Sequence, residues 1–356
     1  MEVRQEQVLA WRMHRQLLAG HGDTANVGVA EVAARLCGVQ AHVASAAVLA
    51  IGVRRRQRSD EPIQRALREE RTLVKMWSAR GALHLLEARQ APLLAAAMGS
   101  LAFWERSAWL RGHGVTAAEQ EQITQAVGKV VHGRVLTRDE LVDEVVEACS
   151  SRHLAKALRS GWGALLKPAA MQGLLCHGPP DGHRVTFTSP RTWLPTWSTP
   201  EPDEAGRAAV RAYLGSFGPA THDDFAQWLA RNTRPRVTRP WFASLADELT
   251  SVTVDGKHGW LLTADVDELR HTRPSRSVRL LPAFDQYVIA VARDLIPAEH
   301  KHEVSRPAGW ISPVVLRGGR VAGVWEVDGS ALEVRPFEHI GKHALTMEAK
   351  RLARVL

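Results

Sequence analysis

One order of elements occurs three times along this chain of 356 residues: a helical segment, a tight turn, a further helix and a short β-hairpin. Helix, glycine-containing turn and helix together form the helix-turn-helix motif. A hairpin directly after that motif adds a short antiparallel sheet on which the helices can pack. The repetition therefore restricts most of the chain to small α+β units arranged in tandem.

The first copy occupies the N-terminal third of the chain. Apolar residues at helical spacing predict a helix over residues 29–37, which Gly38 is well placed to end. A second helix begins near Val43 and continues to Arg56. Residues 71–86 then follow the pattern of strand, glycine-containing turn and strand. Helix, turn, helix and hairpin together predict a winged-helix unit.

The second copy begins at Thr137, whose spacing from Glu140 is that of a capping box. A helix over the residues LVDEVVEA follows this cap, and the next helix is predicted over residues 158–172. Residues 174–187 can then form a hairpin around a Gly-Pro-Pro-Asp-Gly turn.

The third copy has the clearest signals. Thr221 is a favourable N-cap for the helix that follows it. A second helix is predicted from about Pro240 to Leu249. Residues 251–263 contain the turn Asp255-Gly256 between two apolar runs, which is a strong indication of a hairpin.

The chain changes character from about Ser277. Residues 315–321 and 324–334 are both typical of hairpins, and a helix is predicted from Phe337 onward. A linker-like stretch at 198–203 separates the second copy from the third. We therefore expect an α+β fold of three tandem winged-helix domains and a C-terminal β-rich module, with domains at 1–115, 116–197, 203–272 and 273–356.

Composition restricts the cellular setting and the partners. The net charge of +8 and the sequence pI near 9.8 favour a polyanionic partner such as nucleic acid. No apolar stretch is long enough to cross a bilayer, and the first residues have no secretory pattern. The three cysteines are scattered, which fits free thiols in a reducing compartment. We therefore expect a cytoplasmic, nucleoid-associated protein with no membrane partner.

Four local motifs in fixed order make the sequence familiar: LCGVQAH at 36–42, WSARGALH at 77–84, GPATHDDFAQWL at 218–229 and LLPAFDQY at 280–287. With them the chain resembles the AlkZ-type winged-helix DNA glycosylases over nearly its whole length. The resemblance implies a C-shaped clamp around duplex DNA and monofunctional removal of N-alkylated purines. In some members the substrates include bulky natural-product adducts and crosslinks.

The resemblance also implies where the catalytic pair lies. The family motif is Gln, an aliphatic or aromatic residue, then Gln or Asp, and here it falls on Gln40, Ala41 and His42. Gln40 matches the first position, whereas His42 departs from the usual residues at the last.

Gln40 and His42 suit hydrolysis of an alkylated nucleotide. In a locally extended turn their side chains would point to the same side. Alkylation at N7 or N3 makes the purine a cationic leaving group, so the enzyme needs to stabilise the sugar and position a water. Gln40 can hold that water and a neutral His42 can accept its proton, since histidine titrates near pH 6.5. The alternative is that both are polar residues before a helix, facing solvent or phosphate.

Other candidate residues carry charge. Asp285 lies within an apolar run, where it either orients a catalytic group or forms a structural ion pair, the latter being favoured. Lys257 and His258 lie at the tip of the third hairpin, a natural probe of a groove or lesion, although turn solubility also explains them. The candidate DNA-binding residues are Arg54, Arg55, Arg56, Arg80, Arg111, Arg236, Arg239, Lys257, His258 and Arg306.

No cofactor is expected. The sequence has neither a phosphate-binding loop of the Walker type nor a dinucleotide-binding glycine pattern. Cys176-His177 with His183, and His300 with His302, lack the spacing of a zinc site, so structural or surface roles are favoured. No lysine is marked as a Schiff-base nucleophile, so strand cleavage is not predicted.

The competing hypothesis is a transcription regulator or another non-catalytic DNA-binding protein built from the same winged helices. Such regulators usually dimerise to contact two half-sites. Three units in one chain and the absence of coiled-coil heptads favour a monomeric clamp instead. We expect the partner to be double-stranded DNA that contains alkylated purines.

Overall fold

The computed structural model describes residues 1–19, 27–150, 152–160, 162–230, 233, 235–291, 295–329 and 331–356. The chain opens with the short strand β1 (Glu2–Val3) and the helix α1 (Gln5–Arg15). Helices alternate with small sheets along the rest of the chain, so the predicted α+β class is confirmed.

The first repeated unit forms a three-stranded antiparallel sheet with helices before and after it. Its sheet has the strand order β2-β4-β3. The predicted helices and hairpin are confirmed within one or two residues at each end. The elements are α2 (Val29–Arg35), β2 (Val39–Gln40), α3 (Ala44–Arg55), α4 (Asp60–Arg68), β3 (Leu73–Trp77), β4 (Leu83–Glu87), α5 (Ala91–Gly99) and α6 (Ser107–His113).

The second unit has the sheet order β5-β7-β6. Thr137 and Glu140 form the predicted capping box, in which the Glu140 N–H donates to the threonine hydroxyl and the Glu140 carboxylate accepts from the Thr137 N–H. The elements are α7 (Ala117–Val130), β5 (Val135–Thr137), α8 (Arg138–Cys149), α9 (Ala155–Leu158), α10 (Lys167–Met171), β6 (Cys176–His177), β7 (Thr186–Thr188) and α11 (Pro190–Trp193).

The continuous helix predicted over 158–172 is wrong. The chain instead forms α9, a single 3-10 turn at Ala164–Leu166 and then α10. Gly163 interrupts the helix because its φ is 59°, in the left-handed region. A Cβ atom there would lie 2.4 Å from the Trp77 ring, so close packing on the first unit requires glycine at the break.

The third unit uses a strand from the beginning of the chain, since its sheet has the order β1-β8-β9 with β1 parallel to β8. Thr221 caps its helix as predicted. The helix predicted from Pro240 to Leu249 begins earlier, at Pro235, and Leu249 is the first residue of a strand. The elements are α12 (Pro202–Phe217), α13 (His222–Leu229), α14 (Pro235–Ala243), β8 (Leu249–Val254), β9 (Lys257–Leu262) and α15 (Val266–His271).

The C-terminal module contains an antiparallel sheet with the order β10-β11-β12-β13. Both predicted hairpins are present, and the last helix begins five residues later than predicted. The elements are β10 (Val278–Leu281), α16 (Gln286–Val291), α17 (Lys301–Val304), β11 (Val314–Arg317), β12 (Arg320–Asp328), β13 (Ala331–Pro336) and α18 (Lys342–Ala353).

The first nineteen residues pack mainly with distant parts of the chain, although Leu17 contacts the core of the unit that follows them. Val8 and Trp11 of α1 join the core of the third unit, whereas Leu9 and Met13 pack in the core of the C-terminal module. The sequence placed this segment in a first domain of 1–115 because it precedes that domain in the chain. The structure uses it as a bridge between the last two parts of the molecule.

Across the residues that the structure describes, no helix has the length and apolar character needed to span a bilayer.

Candidate active site

The chain turns sharply between α2 and β2, and Gly38 permits that turn. Its φ of 102° lies in the region that favours glycine. A Cβ atom here would lie 2.5 Å from Leu86 Cδ2, so the end of that side chain would have to shift as well. The Gly38 N–H donates to the Ala33 carbonyl at 2.8 Å and closes the end of α2. Residues 39–42 therefore leave the helix directly against the sheet.

Gln40 and His42 lie on the same side of this segment. Gln40 is paired with His84 of β4, and the Ala41 N–H donates to the Leu83 carbonyl at 2.7 Å, which keeps the backbone extended. Alternation then buries Ala41 and directs its two neighbours the other way. Gln40 Nε2 lies 3.0 Å from His42 Nδ1. The expectation that the two side chains share one side is confirmed, and we call them the candidate pair.

The contact within the candidate pair controls the tautomer of His42. An amide nitrogen only donates, so Nδ1 accepts from Gln40 in this arrangement and the ring proton lies on Nε2. If the amide rotates to present its oxygen, Nδ1–H donates instead and Nε2 becomes free to accept a proton. Gln40 therefore selects which ring nitrogen of His42 can act as a base.

Two histidines beside the turn are held in the neutral form. Partial burial lowers the pKa of His42 below its ordinary value of 6.5. Full burial, helped by the charge of Arg80, lowers the pKa of His84 to about 3, and its Nδ1–H donates to the Ala82 carbonyl at 2.9 Å. Neither ring is therefore an imidazolium at pH 7, which leaves the candidate pair uncharged.

A row of aromatic rings runs from the candidate pair onto the C-terminal module. The His42 ring packs edge-on against Phe284, with centroids 4.1 Å apart, and Phe284 packs in the same manner against Trp310 at 4.9 Å. Phe284 is buried and has a φ of 58°, which is strained for a bulky residue. Trp310 remains 40% exposed. One face of the site is therefore a wall of rings that another module supplies.

Phe284 and Trp310 were not among the site residues predicted from the sequence. Phe284 belongs to the motif LLPAFDQY, in which the charge of Asp285 was the more obvious feature. That motif was the one sequence signal that could have pointed to Phe284. Nothing in the sequence distinguishes Trp310 from the other eleven tryptophans, since its role depends on a contact between distant segments.

Arg54 and Asp285 form a fully buried ion pair. Arg54 Nη1 donates to Asp285 Oδ2 at 2.7 Å, and Nη2 donates to Oδ1 at 2.8 Å. The assignment of Arg54 to DNA contacts is therefore wrong, because its guanidinium lies in the interior. The structural ion pair that the sequence favoured for Asp285 is present. It fastens α3, the helix that follows the candidate pair, to the residue next to Phe284.

Comparison with known proteins shows which family this chain resembles. The family described as DNA glycosylase AlkZ-like matches residues 33–356. A curated relative, the interstrand DNA cross-link repair glycosylase of Streptomyces sahachiroi, is 41% identical over 99% of this chain and 97% of its own. The solved structure of Streptomyces sahachiroi DNA glycosylase AlkZ superposes with a TM-score of 0.93 at 40% identity, covering 99% of this chain and 97% of that one.

The chain belongs to the AlkZ-like DNA glycosylase family. It is therefore an enzyme that hydrolyses N-glycosyl bonds, and its substrate is DNA. Because the chain belongs to an enzyme family, the competing hypothesis of a transcription regulator is not supported. The count of three winged-helix domains remains a prediction.

In this AlkZ-like glycosylase, the predicted DNA-binding residues divide by exposure. Besides Arg54, two arginines are held by protein groups: Arg55 donates to the Val27 carbonyl at 2.8 Å, and Arg80 donates to the Trp228 carbonyl at 2.9 Å. Arg56 lies half-buried at the end of α3. The residues with exposed side chains are Arg111, Arg236, Arg239, Lys257, His258 and Arg306. Their contacts with DNA stay a prediction.

Of the histidines and cysteines that were considered as metal ligands, Cys176 and His177 are buried and His300 is held by neighbouring side chains. Burial raises the pKa of the Cys176 thiol and lowers that of His177 to about 3. His300 stacks on Phe337 with centroids 3.8 Å apart and hydrogen-bonds Glu303 at 2.7 Å. Within the described ranges, no cluster of three or more histidine, cysteine or acidic side chains forms a metal site.

Proposed function

We propose that this glycosylase hydrolyses the N-glycosidic bond of N-alkylated purines, with bulky N7-guanine adducts of a DNA-alkylating natural product as its main substrates. The observation that supports this most is the contact between Gln40 Nε2 and His42 Nδ1 at 3.0 Å on a turn that faces away from the core. The function of the Streptomyces sahachiroi relative, repair of interstrand DNA crosslinks, supports a large lesion. The activity would serve base-excision repair and self-resistance.

The chemistry needs little from the protein because the lesion is already activated. An N7-alkylated guanine carries a positive charge, so breaking the bond to C1′ releases a neutral base and leaves an oxocarbenium-like sugar. Water then adds to C1′ and loses one proton. In our proposal Gln40 orients that water and neutral His42 accepts the proton. An imidazolium here would repel the cationic sugar, so the lowered pKa of His42 favours the reaction.

The productive form of the pair has the Gln40 amide oxygen facing His42 Nδ1. Nδ1–H then donates to the amide, and Nε2 presents its lone pair to the water. The arrangement with nitrogen facing Nδ1 is the resting form, in which Nε2 carries the proton. Rotation of one amide about its last bond converts one form into the other.

We propose that DNA is held by a monomeric clamp of three winged-helix domains with boundaries near residues 115, 197 and 272. The exposed candidate DNA-binding residues are spread over several units: Arg111 lies on α6 of the first, Lys257 and His258 lie on β9, and Arg306 lies in the C-terminal module. Contacts of this kind with phosphate would fix the duplex against the protein without reading its sequence. A clamp on a base that stays near the duplex tolerates large substituents better than a closed pocket does.

The test is base release from duplex DNA that carries one N7-alkylguanine, under single-turnover conditions. Wild type is compared with Gln40→Ala and His42→Ala, each expected to lose about 100-fold or more in rate. Binding to the same duplex should change little, because neither side chain supplies charge. The exposed Trp162, far from the turn in sequence and 77% exposed, provides a control as Trp162→Ala. Full activity in both pair variants would contradict the assignment of the catalytic pair, and release of no adduct by wild type would contradict the proposed substrate.

A further inference from the structure

A cavity of about 490 Å³ opens on the C-terminal module beside Trp310. One wall is a face of the sheet formed by β12 and β13, including Val324 and Glu326, and the opposite wall is the chain from His302 to Pro313. Cavities of roughly 300–1,000 Å³ hold drug-sized molecules. The cavity is therefore large enough for an organic group of that size.

Trp310 connects this cavity to the candidate pair. Its indole lines the cavity and packs on Phe284, whose ring in turn packs on His42. Both ring contacts have centroid distances below 5 Å, at 4.9 Å and 4.1 Å. An atom held against Trp310 therefore lies two aromatic rings away from the residue proposed to activate water.

The charges on the sheet wall disfavour a phosphate there, whereas Arg306, the candidate phosphate contact, lies on the opposite wall. Glu326 and Glu333 are direct partners across β12 and β13, and both line the cavity. Like charges placed opposite each other on a sheet are destabilising. Among the described residues neither carboxylate forms a salt bridge, whereas Arg335 is engaged with Glu303 at 3.6 Å. The wall therefore offers acceptors to a group that carries hydrogen-bond donors or positive charge.

We propose that this cavity receives the non-nucleotide part of a bulky adduct, and that this part is a flat aromatic group bearing an amine. The ring would lie against Trp310 and the amine would face Glu326 and Glu333. This inference rests on the proposed function, since it assigns the part of the lesion that the candidate pair does not contact. It makes Trp310 and the two glutamates specificity-determining residues.

The test compares two duplexes that differ only in the lesion. One carries N7-methylguanine, and the other carries the N7-guanine adduct of a mustard linked to an amino-substituted bicyclic aromatic ring. The measured quantity is the ratio of single-turnover release rates, bulky over small. We expect Trp310→Ala to lower this ratio about tenfold, the loss of one aromatic contact with its buried area. Trp310→Phe should retain most of the ratio, and the control Trp162→Ala should retain all of it.

Substitution of the two glutamates is an independent test of the proposal. Both side chains are exposed, so their substitution does not disturb the core. For this test a third duplex carries the N7-guanine adduct of the same ring without an amine. Glu326→Gln with Glu333→Gln should lower the ratio of release rates for the amine-bearing adduct over N7-methylguanine and leave the ratio for the amine-free adduct unchanged. If Trp310→Ala slows both lesions alike, or if the glutamine variant changes neither ratio, the inference is overturned. If wild type releases neither lesion, the proposed function fails instead, so the two failures are distinguishable.

Discussion

The proposed role of His42 makes a prediction about how the activity of this glycosylase depends on pH. Its pKa is lowered by burial, so the ring is neutral at pH 7 and becomes charged only below its ordinary value of 6.5. We therefore expect the rate of base release to be constant through neutral pH and to fall as the pH drops below 6.5. The measurement is single-turnover release between pH 5 and 8, with spontaneous depurination subtracted.

Gln40→Glu is a variant of nearly the same shape that should shift this pH profile. A carboxylate beside Nδ1 favours the imidazolium and raises the pKa of His42, so the acid limb should move up by about one pH unit or more. DNA binding measured over the same range separates titration of the pair from loss of binding. A flat profile from pH 5 to 8 in wild type would refute the role of His42.

The position of the candidate pair followed from local rules, whereas the place of Arg54 did not. Alternation in an extended segment is a property of the backbone, so the sequence is enough to put Gln40 and His42 on one side. Arg54, Arg55 and Arg56 look alike in sequence, and all three suggested phosphate contacts. Successive helix residues point in directions about 100° apart. Only the surroundings of α3 decide that Arg54 points inward at Asp285.

Two elements from distant parts of the chain, α3 and the segment before α16, are joined by the Arg54–Asp285 pair. Asp285→Ala leaves a fully buried guanidinium without its carboxylate, so we expect a loss of about 3–5 kcal/mol in the free energy of unfolding. Denaturant unfolding of the purified protein measures this loss.

A variant in which both residues of the pair are apolar is the comparison for Asp285→Ala. The double variant Arg54→Met with Asp285→Leu removes both charges, and it should regain most of the stability that Asp285→Ala loses. If the single variant is as stable as wild type, the pair does not hold the two elements together. If the stable double variant also releases base normally, the pair fastens the site without taking part in chemistry.

Elements with local signals were predicted well, and those that depend on packing were not. The capping box at Thr137, the N-cap at Thr221 and the hairpin at Asp255-Gly256 each need only residues near in sequence, and all are present. The helix over 158–172 failed because Gly163 adopts a left-handed conformation under the ring of Trp77, which lies more than eighty residues earlier.

The proposed arrangement of the units around DNA rests on exposed cations, among which Lys257 lies at a hairpin tip. If it contacts phosphate, Lys257→Ala should weaken binding equally for different sequences and reduce the slope of log affinity against log salt by about 1. Fluorescence anisotropy with an undamaged duplex at several salt concentrations measures both quantities.

Lys342 is the control for that experiment, because it is also an exposed lysine, at the start of α18, and was not assigned to DNA. Lys342→Ala should retain the slope of wild type. An unchanged slope for Lys257→Ala would mean that the residue only solubilises its turn, the alternative that the sequence leaves open.

The sequence alone determined the order of elements, the α+β class, the family and the segment that carries Gln40 and His42. Each of these depends on interactions between residues close in the chain, or on short contiguous sequence motifs. Tertiary structure alone decided that β1 completes the third sheet, that Arg54 is buried on Asp285, and that Phe284 and Trp310 form a wall beside His42. These contacts join segments up to about 250 residues apart, and neither the spacing nor the hydropathy of a single segment specifies its distant partner.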